Sequence, residues 1–335
     1  VTGTLRAAAP VAGARILGVG AYRPRRVVDN HELAPAIDSS DEWIQRRSGI
    51  ITRRFAAPDE TLVAMAAEAS LKALAHAGVQ PQSVDTVILA TMSHLEQSPP
   101  AAPQVAHQIG AAKAGAMDLG SACAGFCHGL ALADGLVRAG HSRHVVVVGS
   151  ERMSDIVDPN DRSTAFLFGD GAGAVVVGPA DTSGIGPVVW GADGSRSQTI
   201  AHSDHWTALR TADRPAAWPT LRMDGQAVFR WAVETVPQVG RRALEAAGVG
   251  VAELSAFIPH QANIRIVDAA ARALGLPAHA AVARDLTGTG NTSAASVPLA
   301  MDRLLSEGAV EPGGLALLVG FGAGLSYAGQ VVALP

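Results

Sequence analysis

The sequence predicts an α/β fold built from two copies of one unit. Three observations carry that reading: apolar runs of strand length alternate with helical runs, one helix–glycine–strand stretch occurs twice, and landmarks recur at a near-constant offset. LKALAHAGVQPQSVDTVILA, from Leu71, resembles RRALEAAGVGVAELSAFIPH, from Arg241. Gly78 corresponds to Gly248 and Asp85 to Ser255, both 170 residues on (248 − 78). Ser121-Ala122 matches Ser293-Ala294 at 172 (293 − 121), which sets the Cys123 segment against Asn291 to Val297. The strand ending at Gly149 likewise matches the one ending at Gly320. Each half is too apolar on its strands to stand alone. The two are expected to pack face to face, as layered sheets around shared helices. The division is placed between an N-terminal half, 1–180, and a C-terminal half, 181–335.

In chain order, Arg15 to Val19 reads as a short strand closed by the turn residues Gly20 and Pro24. DSSDEWIQRRSGI, Asp38 to Ile50, opens like a helix, with Ser39 or Ser40 as cap and Asp41 and Glu42 in the first turn. Trp43 and Arg47, four apart, share a face. Thr61 to Ala77 is an amphipathic helix stopped by Gly78. Val84 to Thr91 and Val145 to Gly149, the latter with four successive valines, read as buried parallel strands. FGDGAGAVVVG, Phe168 to Gly178, is a glycine-rich turn entering a strand, without the GxGxxG or P-loop Lys of a phosphate cradle. Trp190 to Leu221 has little periodicity and reads as loops bordering a site. Ala227 to Ala247 is helical, and Leu254 to Pro259 is a strand leading to His260. Ala262 to Leu274 is a helix ended by Gly275-Leu276-Pro277. Leu315 to Val319 runs into GFGAG, Gly320 to Gly324, and Leu325 to Leu334 is the last strand.

Composition narrows the class. In 335 residues, 48% are hydrophobic and 17% charged, enough for a sizeable core. The net charge of −4 argues against nucleic-acid binding. Of 26 basic residues only Lys72 and Lys113 are lysines. Two cysteines make no disulfide framework and point to a reducing compartment. No apolar run approaches the ~18 residues of a membrane span. Arg6, Pro10 and Arg15 interrupt the Ala-rich N-terminal segment, so no signal-peptide core is expected. A cytoplasmic protein with no membrane or nucleic-acid partner is the expectation.

Chemistry centres on DLGSACAGF, Asp118 to Phe126. After it Phe126, Leu130, Leu132, Leu136 and Val137 have helical spacing to about Ala139-Gly140. Cys123 therefore falls between a strand and the first turn of a helix, facing unpaired N–H groups and the positive end of the dipole. Such a setting can lower a thiol from about 8.5 to roughly 3.5–7.5 and make it a nucleophile. A lone cysteine in an apolar stretch is more often a core residue, and Cys127, one helical turn on, reads as that. What favours chemistry at Cys123 is the second half. PHQAN puts His260 at a strand end, and GTGNTSAAS puts Asn291 at a turn before a small-residue helix. A neutral imidazole and a carboxamide can both donate hydrogen bonds to developing negative charge, and a histidine can also shuttle a proton.

The chain from Arg15 to Val332 resembles β-ketoacyl-ACP synthase III, the priming condensing enzyme of the thiolase superfamily. The matching words are SDEW (Ser40 to Trp43), SACAGF (Ser121 to Phe126), DPNDR (Asp158 to Arg162), FGDGAGA (Phe168 to Ala174), PHQANIRI (Pro259 to Ile266) and GNTSAASVP (Gly290 to Pro298). Thiolases have a second cysteine, and elongating synthases a second histidine, where this chain has Asn291. Chalcone synthases share Cys–His–Asn but match the flanking words poorly. The resemblance implies a thiolase-like fold with two duplicated halves in five layers, α-β-α-β-α, and a homodimer. It implies that Cys123 takes an acyl group from acyl-CoA, that malonyl-ACP then loses CO₂, and that His260 and Asn291 stabilise the enolate. The N–H groups of Cys123 and Ala323 would hold the oxyanion, Ala323 standing where the family usually has glycine. Ser39, Trp43, Arg47, Arg162, Gly225, Phe229 and Asn263 match CoA-channel positions, with Trp43 and Arg162 flanking adenine. Arg230, Arg265 and Arg272 match a dock for acidic acyl carrier protein. Ser98 replaces the aromatic gate of acetyl-primed members, which implies a larger primer, branched or medium-chain. No metal or cofactor is implied beyond the two substrates. Transfer of the acyl group to a hydroxyl or amine without decarboxylation is the alternative activity, and the pathway is open between fatty acid and polyketide synthesis.

Overall fold

The computed structural model describes residues 8–211 and 218–335; residues 1–7, which include Arg6, and positions 212–217 of the Trp190–Leu221 stretch lie outside the described residues. The strands of the first half are β1 (Gly13–Tyr22), β2 (Arg26–Asp29), β3 (Thr52–Phe55), β4 (Thr86–Ala90), β5 (Gly115–Leu119), β6 (Val145–Glu151) and β7 (Gly171–Ala180). Its helices are α1 (Asn30–Leu33), α2 (Asp41–Ser48), α3 (Leu62–Ala77), α4 (Ala101–Gln108) and α5 (Gly125–Arg138). The remaining strands are β8 (Val189–Ala192), β9 (Ile200–His202), β10 (Leu221–Met223), β11 (Leu254–Pro259), β12 (Ala281–Val282), β13 (Leu315–Gly322) and β14 (Ser326–Ala333). With them come α6 (Trp206–Thr211), α7 (Gly225–Ala247), α8 (Ile264–Leu274), α9 (Leu286–Thr289) and α10 (Ser296–Ser306).

The two main sheets have one plan. Their orders are β1-β7-β6-β4-β5 and β8-β14-β13-β11-β12. In each, the first two pairings are antiparallel and the last two parallel. Thr61 caps α3 by accepting the Ala64 N–H, and Gly78 and Gly248 end α3 and α7 in the same left-handed conformation, φ 64° and 66°. The loop expected from Trp190 to Leu221 is in part ordered: β8 joins the second sheet, and β9 pairs with β10 in a small ribbon. Period-3.6 and period-2 patterns do not develop in elements this short, so the sequence carried no signal for them.

Burial explains the layers. In β6, Val146 and Val148 face α3 and α4, packing with Met65, Ala69 and Val105, while Val145 and Val147 face inward. On the inward side they meet Phe126 and Leu130 of α5 and Met301 and Leu304 of α10, which also touch Ile258 and Leu318 of the second sheet. Phe257, Leu317 and Val319 point the other way, against α7 and α8. Alternate side chains of one strand thus feed two cores, which is why these strands are apolar throughout. The result is five layers, with α5 and α10 sandwiched between the sheets. Among the described residues no helix is long and apolar enough to cross a membrane.

Phe126 is fully buried in the central layer. Phe126→Ala is expected to cost about 3–5 kcal/mol, read as a lower denaturant midpoint with an unchanged slope.

Candidate active site

Between β5 and α5 the chain makes one 3-10 turn, Ala122–Ala124, and Ala122 is left-handed, φ 44°. The second half repeats the device: Ser293 has φ 47°, a 3-10 turn covers Ser293–Ala295, and α10 follows. Backbone equivalence therefore pairs Ala122 with Ser293, 171 residues on (293 − 122), and corrects the 172 offset taken from the Ser–Ala words. Identity of two small side chains had outweighed conformation. Cys123 keeps 9% exposure whereas Cys127 has none, so only the first thiol is reachable; both are free.

Gly322, at the end of β13, is what lets the second sheet reach that thiol. A Cβ there would come 2.8 Å from Cys123 Cβ and 3.2 Å from its sulfur. Next to it, Phe321 meets the His260 ring edge-on, with centroids 5.1 Å apart. His260 follows β11 directly, its backbone N–H donating to Val319 O at 2.8 Å. Its Nδ1 lies 2.7 Å from the Ser296 hydroxyl. Burial pushes the imidazole down to about 3, so the ring is neutral at physiological pH.

Asn291 is held from both sides. Its N–H donates to Leu167 O at 2.8 Å, and its carbonyl accepts from Gly169 N at 3.0 Å. The side-chain Oδ1 accepts the Ser293 N–H at 2.9 Å, which leaves the amide NH₂ as the group offered outward. Ser293 also bears on the thiol, although its hydroxyl has no hydrogen-bond partner among the described residues. Burial raises Cys123 to about 12; the Ser293 hydroxyl and the backbone N–H of Cys123 pull the other way, and the Glu151 carboxylate adds to burial. The depressed thiol expected from the helix start is thus not found, because desolvation outweighs the N-terminal donors.

Glu151 escaped the sequence reading. Fully buried, it accepts from Thr91 Oγ1, the N–H groups of Met92 and Ser93, Ser93 Oγ and, at 3.4 Å, Ala294 N. It ties the loop after β4 to the Asn291 turn. Burial raises its pKa against those donors. Its only trace in the sequence is an acid two residues after the apolar run VVVVG, in GSER.

A groove of about 680 Å³ runs from the surface to Asn291. Its walls include Trp43, Arg47, Arg162, Gly225, Phe229 and Asn263, together with Arg230 and Arg265. Ser40, not Ser39, caps α2, accepting the Trp43 N–H at 3.2 Å. Ser39 is half-buried, and its hydroxyl has no hydrogen-bond partner among the described residues. The guanidinium of Arg162 lies 5.0 Å from the Trp43 ring centroid and that of Arg47 5.6 Å, so the indole is stacked by cations. Asn263 caps α8 through Arg265 N and donates to Arg47 O at 2.9 Å, clamping the two helices that frame the entrance. The Arg265 guanidinium covers Phe229 at 4.9 Å. Arg272 is exposed on the same helix, outside the groove lining. Ala323 follows Gly322 and is half-buried. Ser98 is on an exposed loop and lines neither this groove nor the smaller apolar cavity beside Phe55 and Phe168. Asn291 is part of the groove wall, whereas Cys123 and His260 are not.

Comparison with known proteins finds relatives along nearly the whole chain. Residues 117–194 match the family model of 3-oxoacyl-(acyl-carrier-protein) synthase III, and residues 244–334 match its C-terminal model. The chain is 54% identical over 321 residues to a β-ketoacyl-acyl-carrier-protein synthase III of Streptomyces lividans, covering 96% of this chain and 94% of that one. It is 51% identical to the synthase III of Mycobacteroides abscessus, covering 96% and 94%. Among solved structures, the priming β-ketosynthase of the R1128 polyketide pathway superposes with a TM-score of 0.96 at 53% identity, over 99% of this chain and 98% of that one. The synthase III of Aquifex aeolicus gives 0.87 at 38%, over 96% and 100%.

Two outcomes follow from the site. The rate of Cys123 alkylation by iodoacetamide should keep rising through pH 9, because a thiol near 12 gains thiolate about tenfold per pH unit. A plateau at or below pH 7.5 would show that the helix start prevails over burial. Gly322→Ala, whose Cβ would crowd the sulfur, should slow that alkylation by about tenfold or more at constant pH.

Proposed function

The chain belongs to the β-ketoacyl-ACP synthase III family of the thiolase superfamily, an acyl-transferring condensing enzyme, and on that premise we propose that it joins an acyl group from acyl-CoA to malonyl-ACP through Cys123. The division at 180/181 belongs to this reading, since it assigns the nucleophile to one half and both donors to the other.

In the first step the Cys123 sulfur attacks the acyl-CoA carbonyl, the C–S bond to CoA breaks, and the CoA sulfur takes the proton that the thiol gives up. A thiol at about 12 does not ionise beforehand, so its proton leaves as the sulfur attacks. The oxyanion forms beside the start of α5, where the N–H groups of Cys123 and Ala323 are the proposed donors. In the second step malonyl-ACP loses CO₂, and the electron pair of the breaking C–C bond becomes an enolate. His260, neutral, and the Asn291 NH₂ group donate to the enolate oxygen. The enolate carbon then attacks the acyl thioester and expels the Cys123 thiolate, which takes a proton from solvent. Two fixed donors in a buried pocket supply the stabilisation that decarboxylation requires, and the reading calls on no cofactor.

The observation that carries this reading is the orientation of Asn291: with Oδ1 occupied by the Ser293 N–H, a donor and not an acceptor ends the groove. A simple acyl transfer to a hydroxyl would gain nothing from it. The arginines and Trp43 at the mouth suit the nucleotide end of CoA, and Arg230, Arg265 and Arg272 suit an acidic carrier protein. A homodimer is part of the proposal. It is supported by β5, which ends the first sheet with an unpaired edge and leaves Met117 44% exposed. The Ser98 loop would then be offered to the partner's primer pocket, and its lack of a ring favours primers larger than acetyl.

Asn291→Ala should lower CO₂ release from malonyl-ACP by about 10²–10³-fold while acyl-CoA still labels Cys123 stoichiometrically, as followed by mass spectrometry. Unchanged CO₂ release would defeat the condensing role. Turnover on C4–C8 acyl-CoAs should exceed that on acetyl-CoA, and a clear acetyl preference would remove the primer assignment. Met117→Asp should shift the protein towards monomer in size-exclusion chromatography, because a carboxylate on the edge strand opposes burial there.

A further inference from the structure

His260 can stabilise an enolate oxygen only if the nitrogen facing it carries the proton. A neutral imidazole has one proton and two nitrogens, and what each nitrogen touches decides where it resides. The hydrogen bonds of Ser296 settle the choice. This residue opens α10, is 1% exposed, and has two hydrogen-bond partners for its hydroxyl among the described residues: His260 Nδ1 at 2.7 Å and the Gln261 N–H at 3.3 Å.

The Gln261 N–H can only donate, so the Ser296 oxygen accepts there. If Nδ1 also donated, the hydroxyl would accept twice and its own hydrogen would be buried without an acceptor, which native structures avoid. If instead the hydroxyl donates to Nδ1, every polar atom in the group is satisfied. The single ring proton is then on Nε2. We propose that Ser296 is a positioning residue that holds His260 in the Nε2–H tautomer, so that the imidazole meets the enolate as a donor and not with a lone pair. The hydroxyl acts through the imidazole and touches no reacting atom. Phe321, edge-on to the ring, keeps it from turning over and exchanging the two nitrogens.

This inference rests on His260 being a donor in the decarboxylating step, and the test separates the two. In ¹⁵N-histidine spectra of the whole protein, His260 should show a protonated Nε2 and a hydrogen-bonded, unprotonated Nδ1. A wild-type spectrum with the proton on Nδ1 overturns the proposal, whatever any variant does. In Ser296→Ala the signal should move towards a mixture of tautomers. Malonyl-ACP decarboxylation should fall roughly 10–100-fold, by analogy with the loss when a partner that orients a metal-ligating histidine is removed. Labelling of Cys123 by acyl-CoA, which does not use that proton, should stay within about twofold, and Ser296→Thr, which keeps a hydroxyl, should recover most of the loss. A Ser296→Ala protein that decarboxylates at the wild-type rate while His260→Ala does not would also overturn it. If His260→Ala itself decarboxylates normally, the donor role of His260 fails instead. Should Ser296→Ala not fold, the wild-type spectrum decides alone.

Discussion

Everything in this molecule depends on two turns being pressed against the opposite half with no side chain between. The Asn291 turn rests on β6 at Gly149, where a Cβ would come 2.4 Å from Ala294 O. Symmetrically, the Cys123 turn rests on β13 at Gly320 and Gly322, where a Cβ would come 3.0 Å from Ala124 Cα or 2.8 Å from Cys123 Cβ. These glycines are there for approach and not for backbone freedom, since none of them has a positive φ. Backbone contact at both places brings the Cys123 turn, the Asn291 turn and the strand beside His260 to one region from stretches far apart in the chain.

The chemistry of that point is made of neutral groups. Thiol and imidazole are both uncharged at neutral pH, for one physical reason: burial penalises whichever form carries charge, raising the first and lowering the second. Charge is kept at the rim, on Arg47, Arg162, Arg230 and Arg265, where water screens it and a substrate's phosphates could meet it. Glu151 is one of the buried charges. Its burial is tolerated because five donors converge on it, and it fastens the loop after β4 to the turn that holds Asn291.

Much of the fold was legible because its signals are local. Four valines in succession announce a strand covered on both faces, and a helix stopped at Gly78 and again at Gly248 announces a repeated unit. The site was legible as a set of words, since the Cys123, His260 and Asn291 segments are each contiguous. Ser296 and Glu151 were not, because a serine in a small-residue run and an acid at a strand end acquire meaning only from partners 36 residues away for the first and 58 to 143 away for the second. The register of the repeat was also misjudged by one residue, as the left-handed Ala122 and Ser293 have no distinctive side chain to reveal them.

Alone, then, the sequence determined most of the strand and helix segments, that they recur, and which three side chains are the candidates for chemistry, because periodicity, stop residues and side-chain identity are properties of neighbours along the chain. Tertiary structure decided the protonation of the thiol, the neutrality and orientation of the imidazole, and which end of the Asn291 amide faces the groove. Those depend on burial and on hydrogen-bond partners brought from the other half, and neither exists until the two sheets close on the helices between them.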